Sequence, residues 1–168
     1  KGAKDDVPLH IYMGATGWSM PQWKGKWYPA KAKTADFLQH YSKQFNCIEL
    51  NTTHYRIPNE QMVDKWYQQS EADFRFCPKV PQAISHKGTL GLGEGSIPAF
   101  CNAIEGLKEK LGACFIQLPP YFGVDRMAIL ERFLQAWPKH IQLAIELRHE
   151  SWFANPEEIN NWLSVLEK

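Results

Sequence analysis

Five segments suited to β-strands alternate along this chain with five of helical period, and the strands share one asymmetry. The strand-like segments are "HIYMGAT" (10–16), "CIELN" (47–51), "FRFCPKV" (74–80), "ACFIQLP" (113–119) and "QLAIEL" (142–147). Between them, Thr34 to Gln44 has Phe37, Leu38 and Tyr41 on one side, and Glu60 to Gln69 has Met62, Val63 and Trp66. Ile97 to Leu111 carries Phe100, Ile104 and Leu107, and a fourth helix is expected from Asp125 to Ala136. A fifth opens at Asn155-Pro156, an N-cap residue followed by Pro at the first helical position, and is expected to run to the terminus. Five βα repeats argue for parallel strands covered by helices.

Because side chains alternate along a strand, each segment divides into two faces. One face is apolar throughout: Ile48 and Leu50, Phe74 and Phe76, Ile116 and Leu118, Ile145 and Leu147. The other turns polar toward the C-terminal end, with Glu49 and Asn51, Lys79, Gln117, and Glu146 and Arg148. A flat sheet with helices on both sides accommodates that bias poorly. In a barrel the second face is the interior, whose top opens onto the mouth where such folds hold their chemistry. The pattern therefore predicts an α/β barrel built from about five parallel βα units.

With 44% hydrophobic and 22% charged residues, the chain of 168 residues can build one sizeable core. A net charge of +1 with no block of like charge weighs against a nucleic-acid partner, and no apolar run reaches the length of a membrane span. The four cysteines, Cys47, Cys77, Cys101 and Cys114, form no C-x-x-C pair and lie in apolar settings. They read as reduced packing residues of a cytoplasmic protein. "GTLGLGEGS" (88–96) lacks the Lys-Ser/Thr of a phosphate loop and reads as a flexible connection. The start, "KGAKDDVPLH", has neither a signal-peptide core nor an initiator Met, and reads as a trimmed or engineered end.

The blocks "GATGWSMPQWKGKWYP", "FNCIELNTTHYRIP", "FRFCPKVPQAISH", "GACFIQLPP" and "AIELRHESWF" resemble, in order, those of the YecE-like family, the domain of unknown function seventy-two. The resemblance runs from Tyr12 to about Phe153 and implies a TIM-type (β/α)8 barrel, here an incomplete barrel of about five parallel βα units, whose activity is undefined. Ala15, Met20 and His54 depart from that family's usual residues. Its members continue through further βα units, so 1–168 is expected to be a single domain forming the N-terminal part of a YecE-like barrel. Strand edges left open by such a part invite self-association.

The catalytic candidates are Glu49, Lys79, Glu146 and Arg148, two acids and two bases around one mouth. They can form a salt-bridge network. Alternatively, Lys79 and Arg148 can hold a substrate anion while Glu146 acts as general base. Trp18, Asn51, Tyr55, His86, Gln117, His149 and Trp152 are the substrate-binding candidates. Trp18, Trp23, Trp27 and Tyr28 crowd the first loop and are expected to fold back over the mouth. His54, His86 and His149 all follow strands, but no short ligand spacing among them argues for a metal. No cofactor is expected, and a divalent metal is the lesser alternative. The function expected is an enzyme, a hydrolase, lyase or isomerase, acting on a small polar anionic or sugar-like substrate. The alternative is a non-catalytic ligand- or nucleic-acid-binding protein on the same fold, for which Lys24, Lys26, Lys31 and Lys33 would be the contact.

Overall fold

The computed structural model describes residues 9–166, so the start of the chain at 1–8 and the end of the fifth expected helix at 167–168 lie outside it. The strands are β1 (Gly14–Ala15), β2 (Cys47–Leu50), β3 (Arg75–Pro78), β4 (Cys114–Gln117) and β5 (Leu143–Glu146). After β1 comes α1 (Phe37–Ser42), and after β2 come α2 (Thr52–Tyr55) and α3 (Glu60–Gln69). β3 is followed by α4 (Gln82–Ser85) and α5 (Ser96–Ile104), β4 by α6 (Met127–Ala136), and β5 by α7 (Pro156–Leu166).

β1, β2 and β3 form one parallel sheet in that order, and β4 and β5 form a second parallel pair. The two meet along the other edge of β3, which stays bonded to β2 beyond its end, Lys79 N donating to Leu50 O at 3.2 Å. Pro78 has no N–H to continue a ladder, and Val80 N instead donates to Phe115 O at 2.8 Å while Gly112 N donates to Phe76 O at 2.7 Å. Ile48, Leu50, Phe76, Cys114 and Ile116 are at most 1% exposed beneath the helices. The opposite face is open: Glu49 and Glu146 are exposed, and Cys77, Lys79, Phe115 and Gln117 are half-buried.

The apolar side is divided between two clusters. Ile48, Leu50 and Phe76 pack against Phe37, Leu38, Val63 and Trp66 from α1 and α3. Cys114, Ile116 and Leu118 pack against Phe100, Ile104, Leu130 and Phe133 from α5 and α6. All four cysteines are free, and burial pushes the Cys77 and Cys101 thiols up to about 11, which keeps them protonated and inert at neutral pH.

Three local readings are corrected. The first strand is two residues long because Asn46 substitutes for a neighbouring backbone. Its Oδ1 accepts from Met13 N at 2.7 Å and its Nδ2 donates to Ile11 O at 2.8 Å. The helix expected from Ile97 to Leu111 ends at Ile104 and continues as a 3-10 segment, Glu105–Lys110, kinked at Lys108 with φ 53°. "GTLGLGEGS" is a pinned loop: Leu90 is fully buried, and Lys87 and Thr89 both bond the Glu94 carboxylate.

α3 shows how sequence sets an element's ends. Asn59 Oδ1 accepts from Met62 N at 2.9 Å, capping the first turn. At the other end the buried Lys110 ammonium donates to Tyr67 O and Ser70 O, both at 2.7 Å, and lies 4.6 Å from the Tyr67 ring centroid. A cation there satisfies carbonyls that the helix leaves open and complements its dipole. Lys110→Met strands those carbonyls, and a loss of about 1.5–3 kcal/mol is expected in urea denaturation. An unchanged midpoint would show that water replaces the ammonium.

Candidate functional site

The open polar face is tied together at the ends of β3, β4 and β5. Lys79 Nζ donates to Gln117 Oε1 at 3.1 Å. Gln117 Nε2 donates to both Glu146 oxygens, at 2.9 and 2.8 Å. The Arg148 guanidinium stands 3.9 Å from Glu146 Oε1, with the two side chains 43% and 51% exposed. Sequence parity placed these groups on one side; the amide of Gln117 as the link between cation and carboxylate is new. Lys79 Nζ also lies 5.6 Å from the Phe115 ring centroid, so its stem is packed while its charge faces the open side.

Glu49 stands apart from that row. Asn51 Nδ2 donates to its Oε1 at 3.1 Å, and no cation lies within 4 Å of it among the described residues. Beside it Thr16, Gly17, Trp18 and Ser19 close a recess of about 150 Å³ with Asn51 and Thr52. Trp18 packs edge-on against Trp66, with centroids 6.1 Å apart. The rest of the first-loop aromatics pack away from the polar strand ends. Trp23 lies parallel to Tyr41 at 6.3 Å, Trp27 meets Phe45 at 5.2 Å, and Tyr28 packs on Phe37 at 4.9 Å. These rings cover α1 on the outside of the sheet, where apolar partners were available.

Near the row, His54 and His86 meet edge-on at 67°, with centroids 5.4 Å apart. His54 Nδ1 is 3.1 Å from Val80 O, and His86 Nδ1 is 2.8 Å from the buried Ser85 hydroxyl. Burial first, then the nearby His54, Lys79 and Arg148, hold the His86 imidazole below its ordinary pKa. Tyr55 is 75% exposed, with its ring 5.5 Å from that of His54.

Two candidates have other duties. Trp152 is fully buried, and its Nε1 donates to Phe122 O at 2.7 Å beneath a parallel Phe122 ring. It is a core residue and has no surface to offer a ligand. His149 caps the 3-10 turn Glu150–Phe153: its Nδ1 accepts from Ser151 N at 3.1 Å and lies 2.8 Å from Ser151 Oγ. Ser151 Oγ in turn accepts from Val124 N at 2.9 Å, so His149 helps fasten the end of β5 to the loop after β4.

Three contributors escaped the sequence reading. Thr53 is buried and shares its hydroxyl proton between Lys79 O at 2.7 Å and Leu50 O at 2.9 Å, which fixes the backbone of Lys79. Its signal was a Thr directly after a strand, where a side chain can bond local carbonyls. Ser85 orients His86, as described. Tyr121 is 56% exposed, and its hydroxyl donates to His86 O at 2.9 Å; an aromatic just past the Pro119-Pro120 stop was its only mark. Among the described residues, no three His, Cys, Asp or Glu side chains are grouped to hold a metal ion, and no helix is long and apolar enough to cross a membrane.

Similar proteins were found at the level of family, sequence and structure. The family model described as "Protein of unknown function DUF72" matches residues 12–168. The UPF0759 protein YecE of Escherichia coli strain K12 is 34% identical over 148 residues, covering 88% of this chain and 52% of that protein. The UPF0759 protein YunF of Bacillus subtilis strain 168 is 30% identical over 161 residues, covering 87% of this chain and 53% of that one. The chain thus spans about half the length of the curated relatives it matches. A crystal structure of a DUF72 family protein from Enterococcus faecalis V583 superposes with a TM-score of 0.77 at 28% identity, over 94% of this chain and 57% of that one. A second structure of that protein gives 0.72 at 27%. Together with the ordered parallel strands, these matches place the chain in the DUF72 family.

Proposed function

We propose that the row Lys79–Gln117–Glu146–Arg148 is the floor of a small-molecule site, in an enzyme whose open polar sheet face is the interior of a TIM-type barrel. The observation that carries this reading is the hydrogen-bonded row itself, set where strands of such a fold present their chemistry. Sequential parallel strands with helices on one face support the barrel. Its free edges at β1 and β5 need further strands or a second copy of the chain beside them.

In this reading Lys79 and Arg148 hold an anionic group, since they are the cations of the row, Lys79 held by Gln117 and Arg148 beside Glu146. Glu146 is the general base, and Glu49 with Asn51 receives a hydroxyl or amine of the substrate. The half-exposed ion pair contributes only about 0–1 kcal/mol to folding, so the row is poorly explained as a structural device alone. Glu146→Gln separates chemistry from binding. Thermal stabilisation by small anionic metabolites should first identify a ligand. The variant should then keep its stability within about 1 kcal/mol, bind the anion at least as well, and lose turnover by about 10²–10⁴-fold. Undiminished turnover would remove Glu146 from the chemistry.

The His86 environment adds a pH dependence. In the free protein the imidazole is held below its ordinary pKa by burial and by His54, Lys79 and Arg148. A bound anion favours the imidazolium and raises that pKa, so binding takes up a proton and must strengthen as pH falls. Phosphate titrations between pH 8 and pH 5 should show affinity rising below about pH 6.5. In His86→Asn that rise should shrink to what titration of phosphate itself leaves.

A further inference from the structure

Beside the cationic floor runs a line of rings, of which Tyr55, His86 and Tyr121 are exposed and His54 half-buried. Tyr55, His54 and His86 succeed one another at centroid spacings of 5.5 and 5.4 Å, and the Tyr121 hydroxyl closes onto the His86 backbone at 2.9 Å. They stand at the ends of β2, β3 and β4. The outer two are 75% and 56% exposed, although a tyrosine ring is costly to leave in water. The line adjoins the cations: His54 Nδ1 lies 3.1 Å from Val80 O, next to Lys79 in the chain, and its neighbour Thr53 donates to Lys79 O at 2.7 Å.

We propose that this rim stacks a nucleobase and that the site binds a nucleoside monophosphate, its phosphate on Lys79 and Arg148. The proposal rests on the reading of those two residues as an anion site. Stacking on tyrosine and imidazole faces tolerates any base, because every base has a π-face. Two cations suit one phosphate group. A polynucleotide would bring further phosphates against the exposed carboxylates Glu49 and Glu146, on a chain whose net charge is only +1.

Calorimetric titration of the protein with inorganic phosphate, adenosine and adenosine monophosphate tests this. The monophosphate should bind at least about 10-fold more tightly than either part. Tyr55→Ala and Tyr121→Ala should each weaken it by about 5- to 100-fold and leave the phosphate affinity unchanged. Tyr121→Phe, which keeps the ring, should restore binding. Both tyrosines are exposed, so the variants should fold, as their melting temperatures will verify. Equal affinities for phosphate and monophosphate, untouched by the tyrosine variants, would overturn the stacking proposal and keep the anion site. Adenosine binding as tightly as its monophosphate would overturn the proposal and the anion site together, as would binding of none of the three.

Discussion

Trp152→Ala is expected to cost about 3–5 kcal/mol of stability, a large share of what a domain of this size has. The ring is fully buried and parallel to Phe122, its Nε1 donates to Phe122 O at 2.7 Å, and its own carbonyl accepts from Trp162 Nε1 at 2.9 Å. Alanine leaves a cavity and strands the Phe122 carbonyl at once. Trp152→Phe keeps most of the ring and loses only the indole donor, so a smaller cost of about 1–3 kcal/mol is expected. Chemical denaturation of the two variants measures both values. Because Trp152 has no exposed surface, the Phe variant should bind ligand as the parent does. Lost affinity at full stability would return Trp152 to the site.

The second large effect falls on Lys79. Its ammonium is the half-buried cation of the row, bonded to Gln117 Oε1 at 3.1 Å, and Thr53 fixes its backbone from beneath. Lys79→Met preserves the packed stem and removes the charge. Anion affinity should fall by about 10- to 100-fold, the value of a charge-assisted hydrogen bond. Gln117 remains partly open to water, so stability should change by no more than about 1 kcal/mol. Titration with phosphate measures the first quantity and urea denaturation the second. A loss of stability with unchanged affinity would make Lys79 a structural residue.

Where local rules and packing agreed, the sequence was enough. Glu60 to Gln69 has a capping Asn59 and a Val63/Trp66 face, and its helix has the expected bounds. Strand alternation likewise separated Ile48 and Leu50 from Glu49, and Ile116 from Gln117. It failed where a side chain took over the work of backbone, as Asn46 does beside β1. It failed again where partners come from distant segments. Trp152 looked like part of a polar strand end, but its core neighbour Phe122 lies far back in the chain, and no periodicity reveals that meeting. The same holds for Trp23 and Trp27, whose place on α1 follows from Tyr41 and Phe45. The hydrogen bonds of Thr53, Ser85 and Tyr121 hold Lys79 and His86 in place, yet each depends on a fold already formed.

On this reading an anion binds on the open sheet face at the ends of β3, β4 and β5. Titration with inorganic phosphate, followed residue by residue in two-dimensional NMR, addresses it directly. The side-chain amide of Gln117 and the backbone amides of Lys79, His86, Glu146 and Arg148 should shift together along one saturable curve, and in Lys79→Met that curve should move to about 10- to 100-fold higher phosphate. Saturable shifts gathered instead at Lys24, Lys26, Lys31 and Lys33, or no saturable shift at the strand ends, would contradict the claim.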